Sequence, residues 1–573
     1  MKKYTLHKPL DLEVEKLLSN HDPVVRRLLY NRGITTAEEA SAFITPQYDT
    51  GSHDPYLLKD LDRTVERILK AISTGEKVVI YSDYDTDGIP AAVTLHTFFK
   101  KISFSNFYNY IPHRHNEGFG LHKGAVTKFK EEGVGLVITI DCGIADVESV
   151  AHAKKLGIDV IITDHHMPGD VMPDAYAIVN PKRSDCNYPE KMLCGAGVIF
   201  KVIQAMAKRP EFNLVPGWEK WLLDMVGIAT LSDMVPLRGE NRVFSYYGLT
   251  VLRKSKRPGL VTLLRKLGVS QTNLTEEDIG FSIGPRINAA SRMGVPMDAF
   301  MMLSTDSDAE ARTYVEHLDV INNQRKGAVA QLVKEVKHEM SVRYPGELPK
   351  VIVMGNPTWR PSLLGLAANS CAEEFSRPVF LWGRDGDGML KGSCRSGGMQ
   401  SVLEIMKNAI EGTFLQFGGH AASGGFAVSL DSVHKLPENL NDAAAKMSHV
   451  TKDDVVRVDA LLTLDDVNRT MYSHIEKLAP YGVENPRPIF MFHEIVPLSV
   501  EQFGKTKEHL KIIARNSKGV PVSAIAFFAK PEDFSFVPQK GKSCTVIGHV
   551  EKSVFRGVTE LRIRLLDITD KAD

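Results

Sequence analysis

The sequence predicts an α/β fold built on a parallel sheet, followed by a second α/β domain and a small β-barrel. Three observations carry this. The apolar runs Val78-Val79-Ile80-Tyr81, Leu136-Val137-Ile138-Thr139-Ile140 and Val160-Ile161-Ile162-Thr163 alternate with helical stretches, as buried parallel strands do when helices cover both faces. Val329, Leu332, Val333, Val336 and Met340 then recur at helical spacing behind the polar Asn322-Asn323-Gln324-Arg325, marking one long helix between two domains. From about residue 451 short alternating segments take over: Val456 to Leu462, Ile489 to Phe492, Leu510 to Ala514, Val522 to Phe528, Ser543 to Val550 and Leu561 to Ile568. Five or six such strands suit a barrel of the OB-fold type.

A chain of 573 residues is too long for one core. The expected division is a helical arm at 1–58, the sheet domain at 59–320, the joining helix at 321–345, the second domain at 346–450 and the barrel at 451–573. Apolar content of 43% and charged content of 24% are those of ordinary globular protein. No apolar run reaches membrane-spanning length, and Met1-Lys2-Lys3-Tyr4 lacks the apolar core of a signal peptide. The six cysteines form no C-x-x-C pair, which argues against a zinc ribbon and for a reducing, cytoplasmic setting. Seventy Lys and Arg balance seventy Asp and Glu. A protein that only coats nucleic acid is usually more basic, but neutrality leaves room for an enzyme whose acidic site offsets basic patches.

In chain order, Val24, Leu28 and Leu29 share a helical face in the arm, and Thr36 with Glu38 and Glu39 signals a helix start. Leu61, Val65, Ile68, Leu69 and Ile72 make an amphipathic helix ahead of the first strand. That strand ends in Asp83, Asp85 and Asp87, at the sheet edge where open α/β sheets bind ligands. Three crowded carboxylates repel one another unless a hard cation sits among them. A solvated acidic turn or helix cap would explain one such cluster. The arrangement recurs, however, at Asp141-Cys142-Gly143 and at Asp164-His165-His166. Arg114 lies in a Gly-rich basic loop at the same edge, and Asp233 ends an apolar helix as either a ligand or a salt-bridge partner. Arg286 and Asn288 sit in Pro285-Arg286-Ile287-Asn288-Ala289-Ala290-Ser291-Arg292, where arginine forks serve phosphates or structural ion pairs. In the second domain Ser393 and Arg395 share one glycine-containing turn, and Gly419 and His420 another. Such turns allow close approach to an anion, or simply need positive φ. In the barrel Phe527, Phe528 and Phe555 with Lys505, Lys507, Lys511, Lys552 and Arg556 offer stacking and phosphate contacts, or else core and solvated face.

Asp83-x-Asp85-x-Asp87-Gly88, Asp141-Cys142-Gly143, Asp164-His165-His166 and Ser232-Asp233, in this order, resemble the DHH phosphoesterase superfamily. Arg114 with Glu117-Gly118-Phe119-Gly120, Pro285-Arg286-x-Asn288-Ala289, Gly418-Gly419-His420 and Leu478-Ala479-Pro480-Tyr481-Gly482 with Asn485-Pro486 are similar to its RecJ family of single-strand-specific 5′→3′ DNA exonucleases. The resemblance covers about residue 60 to the C-terminus. It implies a DHH domain joined by the long helix to a DHHA1 domain, with an OB-fold after it. It implies two divalent cations, Mn²⁺ or Mg²⁺, held by Asp85, Asp87, Asp141, His165 and Asp233, with Asp83 a ligand or one layer behind. Asp141 would bridge the ions and His166 would touch the scissile phosphate. Arg114, Arg286, Asn288, Ser393, Arg395, Gly419 and His420 would bind the DNA, including a 5′ end. The implied partners are a helicase and a single-strand-binding protein, and the implied setting is recombination and repair. The sequence departs from the family at Arg360, where a His and a Gly commonly follow the Trp, at Glu484, where Gly is usual, and at Ser423-Gly424, where an Ala pair is usual.

The chemistry agrees with the resemblance. Phosphodiester hydrolysis needs an activated water and neutralised charge on attacking and leaving oxygens, which two ions supply. Imidazole among the ligands favours Mn²⁺. Two other readings compete: a DHH phosphodiesterase of short oligonucleotides or cyclic dinucleotides, and a DNA-binding scaffold that has lost its metals. The barrel counts against the first, and the intact acids count against the second.

Overall fold

The computed structural model describes residues 3–385, 388–447, 455–555 and 558–570. The chain forms two compact units, one of residues 53–233 and 247–452, the other of residues 1–52, 234–246 and 453–573.

The first unit opens with a five-stranded, fully parallel sheet. Its order is Phe107–Tyr110, Val78–Ser82, Leu136–Ile140, Asp159–Thr163, Ala177–Val179. The two central strands are buried along their whole length, which is why they read as unbroken Val/Ile runs. One face packs on Val126, Phe129, Val150 and Ala153 from two short helices. Helices Gly88–Lys101 and Gly195–Ala207, each buried nearly throughout, also belong to this domain. The strand order reverses at Val78–Ser82, and the crevice at such a reversal is the ligand-binding position of doubly wound sheets.

Helix Asp308–Arg343 leads to the second sheet. Its 36 residues span about 54 Å, and it starts earlier than the periodicity alone marks because Ser307 caps it, accepting from Glu310 N. Leu332, Val336 and Met340 on this helix share a core with Leu364, Ala368 and Cys371 of helix Pro361–Phe375. The second sheet runs Gln416–Gly419, Ser423–Val428, Leu390–Arg395, Val379–Arg384, Ile352–Gly355. Only its last pair is parallel.

In the other unit the arm is not purely helical. It begins as a strand, Lys3–Leu6, paired in parallel with Val455–Val458, and Tyr4 Oη donates to Asp567 Oδ2 at 2.8 Å. The strand is too short to show a period. The helices Pro23–Tyr30 and Ala37–Ile44 follow, the latter with a capping box between Thr36 and Glu39. The barrel domain has a seven-stranded sheet, one more strand than the upper sequence expectation. The addition is the hairpin strand Ser499–Phe503, which has no fully buried residue to mark a period. Val456 to Leu462 is two strands, broken at Asp459, which accepts from Asn31 Nδ2 and Ile489 N, both at 2.9 Å. Leu18, Val25, Leu28 and Leu29 of the arm enter the same core as Phe490, Leu510 and Ile563 of the sheet. Glu484 sits at φ 58°, a left-handed conformation that favours glycine, and pairs with Arg238 at 3.0 Å.

Candidate metal centre

Asp83, Asp141 and Asp164 each stand one residue beyond a central strand. The ladder continues through them: Asp83 N donates to Ile140 O at 3.2 Å, Asp141 N to Thr163 O at 2.9 Å and Asp164 N to Val179 O at 3.1 Å. The register of three strands thus sets three acids side by side. Asp141 takes a left-handed φ of 61°, which is costly for a residue with a Cβ and is typically held at functional sites.

The turn after Asp83 folds on itself. Asp85 Oδ1 accepts from Asp87 N at 2.8 Å and Gly88 N at 3.1 Å. Asp87 in turn accepts from the first amides of helix Gly195–Ala207, Gly195 N at 2.6 Å and Ala196 N at 2.8 Å. A Cβ on Gly195 would lie 2.6 Å from Asp141 Cβ, so only glycine fits there. His165 Nε2 is 3.1 Å from Asp141 Oδ1 and 3.7 Å from Asp87 Oδ2, while its Nδ1 is 3.7 Å from Asp233 Oδ2.

The ligand atoms gather in threes within 4.8 Å: Asp83, Asp85 and Asp141; Asp87, His165 and Asp233; and Asp141, His165 and His166. The first two groups divide the six expected ligands without overlap, and Asp141 and His165 meet in the third. Asp83 Oδ1, Asp141 Oδ1 and His165 Nδ1 are buried without a hydrogen-bond partner. Buried polar atoms normally find partners, so the orphaned donor set fits divalent cations.

Charge follows the same logic. Burial, then the neighbouring acids, pushes Asp83 and Asp141 well above the carboxylate range, Asp87 to about 7 and Asp233 to about 8. Burial, with His166 and Lys182 nearby, lowers His165 to about 3, so it is neutral and offers one ring nitrogen for coordination. Burial opposes charge on His166 too, but Asp164 Oδ1 at 2.8 Å from its Nδ1 wins and raises it to about 9. Asp164 also accepts from the amides of His165, His166 and Ile144. Asn180, fully buried, donates to His166 O at 2.9 Å and accepts from Lys182 N at 2.8 Å.

The basic residues are less uniform. Arg114 lies over the Tyr84 ring at 5.0 Å, next to the acids. Arg286 is tied elsewhere: its guanidinium donates to Asp319 Oδ1 at 2.8 and 3.0 Å and to Ser282 O. Arg292, in the same motif, is the less compensated cation. Its Nη1 donates to Ser362 O at 2.7 Å, and burial, with Arg114 and Arg325 close by, lowers it to about 9. Ser393 and Arg395 share one face of strand Leu390–Arg395 with Lys391, the intervening residues pointing into the core. Arg395 Nη1 donates to Cys394 O, and Gly365 leaves room for the guanidinium, since a Cβ there would lie 3.0 Å from Nη2. Ser423 stands opposite Arg395 in the ladder. Gly419 and His420 form an exposed turn closed by His420 N donating to Ser423 O. Asn288 is half-buried, two residues past Arg286 on helix Gly284–Met293, and Arg360 is exposed at the N-cap of helix Pro361–Phe375.

Sequence reasoning assigned no role to Asp164, Gly195 or Asn180, and it read Arg292 within its motif without placing it among the DNA-binding residues. The first lay inside a quoted motif, and the small residues of Cys194-Gly195-Ala196-Gly197 were a readable sign of close packing. Asn180 gave no signal apart from the fold.

The parallel sheet, its strand-end acids and the paired second sheet define a phosphoesterase of the DHH class. Residues 77–230 match the model of the DHH family, N-terminal domain, residues 348–453 that of the DHHA1 domain and residues 458–567 that of the RecJ OB domain. A single-stranded-DNA-specific exonuclease RecJ of Salmonella typhimurium is 30% identical over 97% of both chains. The one from Bacillus subtilis is 35% identical over 86% of this chain, which spans 62% of that relative's length. The crystal structure of Thermus thermophilus RecJ with Mn²⁺ superposes with a TM-score of 0.83 at 24% identity, covering 100% of this chain and 80% of that one. An exonuclease RecJ bound to manganese gives 0.58 at 29% identity over 68% of this chain and 96% of that one. The chain belongs to the RecJ family.

Proposed function

We propose that the chain is a single-strand-specific DNA exonuclease that hydrolyses phosphodiesters from the 5′ end, acting in recombination and repair. The observation that carries this reading is the pair of three-ligand groups meeting at Asp141 and His165, with three buried ligand atoms left unsatisfied. The relatives that bear the name of single-stranded-DNA-specific exonuclease support the substrate class.

In this reading Asp83, Asp85, Asp87, Asp141, His165 and Asp233 would hold two divalent cations, Mn²⁺ or Mg²⁺, Asp141 being a candidate ligand to both because it belongs to two of the three ligand groups. Such a pair supplies an activated water and neutralises charge on the attacking and leaving oxygens. The chain's own residues do the rest. The Gly195 and Ala196 amides fix both oxygens of Asp87. Asp164 keeps His166 charged through Nδ1, which leaves Nε2 to donate to a non-bridging oxygen of the scissile phosphate. Arg114 and Arg292 neutralise adjacent phosphates, with Asn288, Gly419 and His420 contacting the strand. Arg395, with Ser393 on the same face, binds a terminal 5′-phosphate and so sets polarity, because a guanidinium fork suits a dianionic end. Arg286 would contribute by ordering its helix through Asp319.

The barrel adds a stacking surface. Phe528 is 83% exposed and meets the His509 ring edge-on at 4.9 Å, His509 in turn contacts Phe503 and Phe527, and Arg562 lies 5.5 Å from the Phe527 ring. The side chain of Phe555 and all of Arg556 lie outside the described residues. The six cysteines are free and buried, in keeping with a cytoplasmic protein, and a helicase and a single-strand-binding protein are the partners this role calls for.

The test is nucleotide release from single strands of several lengths, labelled at either end, with Mn²⁺ and with chelator. Metal-dependent release of the 5′ label first, on long strands and not on duplex, is expected. Cleavage confined to dinucleotides, release from the 3′ end, or binding without cleavage would each overturn the proposal.

A further inference from the structure

A cavity of about 640 Å³ lies between helix Asp308–Arg343 and helix Pro361–Phe375, with Arg395 of the second sheet in its wall. Arg325 and Lys326 line it from the long helix, Gly365 and Asn369 from the shorter one. Three cations thus share one space, and among the described residues no acid is in the lining. Arg325 Nε is buried without a hydrogen-bond partner. Burial holds Arg325 and Arg395 below the ordinary guanidinium range, with Arg286 adding to the effect on the first. One turn before Arg325, Asn322 is fully buried and neither of its amide atoms has a partner among the described residues. Residues three apart share a helix face. Buried cations and amides left unpartnered are costly, so this wall suits an anion that brings several acceptor oxygens.

The space exceeds what a single phosphate needs, since such a group takes only a few times the ~30 Å³ share of one water. No aromatic ring lines it among the described residues, so it lacks a stacking platform for a base. The cavity also adjoins the approach to the metal centre. Arg292 is close enough to respond to Arg114 and Asp85 at the centre and to Arg325 and Arg395 at the cavity. Its Nη1 donates to Ser362 O at 2.7 Å, and Ser362 Oγ donates back to Arg292 O at 3.1 Å, which fixes Arg292 beside helix Pro361–Phe375.

We propose that this cavity receives the β- and γ-phosphates of a strand that begins with a 5′-triphosphate, its α-phosphate resting on Arg395. The proposal rests on the 5′-exonuclease reading above and extends its substrate class to ends made where a polymerising enzyme starts a chain directly from a nucleoside triphosphate. Water attacks the phosphorus between the first two nucleotides. The bond from that phosphorus to the 3′ oxygen of the first nucleotide breaks, and that oxygen takes up a proton. The products are an intact nucleoside triphosphate and a strand with a 5′-monophosphate, which Arg395 then holds alone.

The test is competition between oligothymidylates bearing 5′-hydroxyl, 5′-monophosphate and 5′-triphosphate ends, cut by the full chain with Mn²⁺, the first product being separated by chromatography. The triphosphate strand should be cut at least as fast as the monophosphate strand and should release thymidine triphosphate. Arg325→Ala and Lys326→Glu should each lower the triphosphate-to-monophosphate rate ratio by about tenfold or more, the worth of one lost charge-assisted contact. Lys326 is exposed, so its variant carries the test even if Arg325→Ala fails to fold. Refusal of the triphosphate end, even where free thymidine triphosphate inhibits through Lys326, would overturn the proposal and leave the exonuclease reading standing. A rate ratio unmoved in every folded variant would do the same. Failure to cut any of the three strands from the 5′ end would instead remove both readings.

Discussion

The acids at the end of the first sheet and the basic face of the second solve opposite problems. Asp83, Asp87, Asp141 and Asp233 are crowded with like charge and held partly above their ordinary range. The apo site is therefore destabilised until a cation enters. On strand Leu390–Arg395 the single guanidinium of Arg395 rests on a backbone carbonyl with space beside it. One region crowds negative charge that a cation relieves, and the other holds a cation that burial disfavours and only a backbone carbonyl offsets. Removing a group from the first should thus cost function and spare stability, whereas each arginine must be judged by its own partners.

The largest effect that would break this contrast belongs to Asp141. Asp141→Ala should lower hydrolysis by roughly a thousandfold or more, beyond the ~10–100-fold typical of groups behind the ligands. The apo protein should melt no lower than wild type. A folded variant with near-normal turnover in an oligonucleotide assay would remove Asp141 from the centre.

Gly195→Ala comes next. The added methyl meets Asp141 Cβ, and displacing a helix end that holds Asp87 should weaken Mn²⁺ binding by about 10–100-fold, read by calorimetric titration. Unchanged affinity would mean that the helix end can shift freely.

Stability against pH sharpens the comparison without mutation. Asp87 and Asp233 titrate near 7 and 8 when folded, against 3.8 ordinarily. The folded apo state therefore holds more protons than the unfolded chain over that interval, and apo stability falls as pH rises from about 4 to about 8. Mn²⁺ displaces those protons, so its stabilisation should grow over the same interval. Thermal melts with and without Mn²⁺ that run parallel across this range would contradict the assignment of unsatisfied acids.

The smallest effect on activity distinguishes two arginines. Arg286→Ala breaks the ion pair with Asp319 and should cost about 3 kcal/mol of stability, with preference for a 5′-phosphorylated strand retained. Arg395→Ala should leave the melt unchanged and narrow that preference. Competition between 5′-phosphate and 5′-hydroxyl strands, with a melt of each variant, checks both, and the reverse pattern would exchange their roles.

This difference also explains what was legible. The acids read directly from sequence because a metal's demand falls at strand ends, where a two-residue spacing and three apolar runs announce it. The parallel first sheet followed from the same alternation of apolar runs and helices, whereas the strand order of either sheet did not. Arginines carry no such mark: Arg286 and Arg292 lie in one motif, and only packing reveals that Asp319 occupies the first while the second is left with a carbonyl. Asn180 was equally silent, since its two hydrogen bonds depend on a loop whose path the sequence does not encode. Strands Lys3–Leu6 and Ser499–Phe503 were too short or too exposed to show a period.

The pairing of the arm with the barrel bears on how the chain is made. Arg32 donates to Asn485, 453 residues away, and the apolar faces of Leu18, Val25 and Leu28 are covered only in a core completed by the last strands. The arm leaves the ribosome before the intervening unit and waits through the whole of that unit's synthesis before its partner exists. Domains fold as they emerge, and apolar surface exposed meanwhile invites aggregation. A nascent chain stalled before residue 453 would therefore carry a folded sheet unit and an unburied arm, a natural substrate for holdase chaperones.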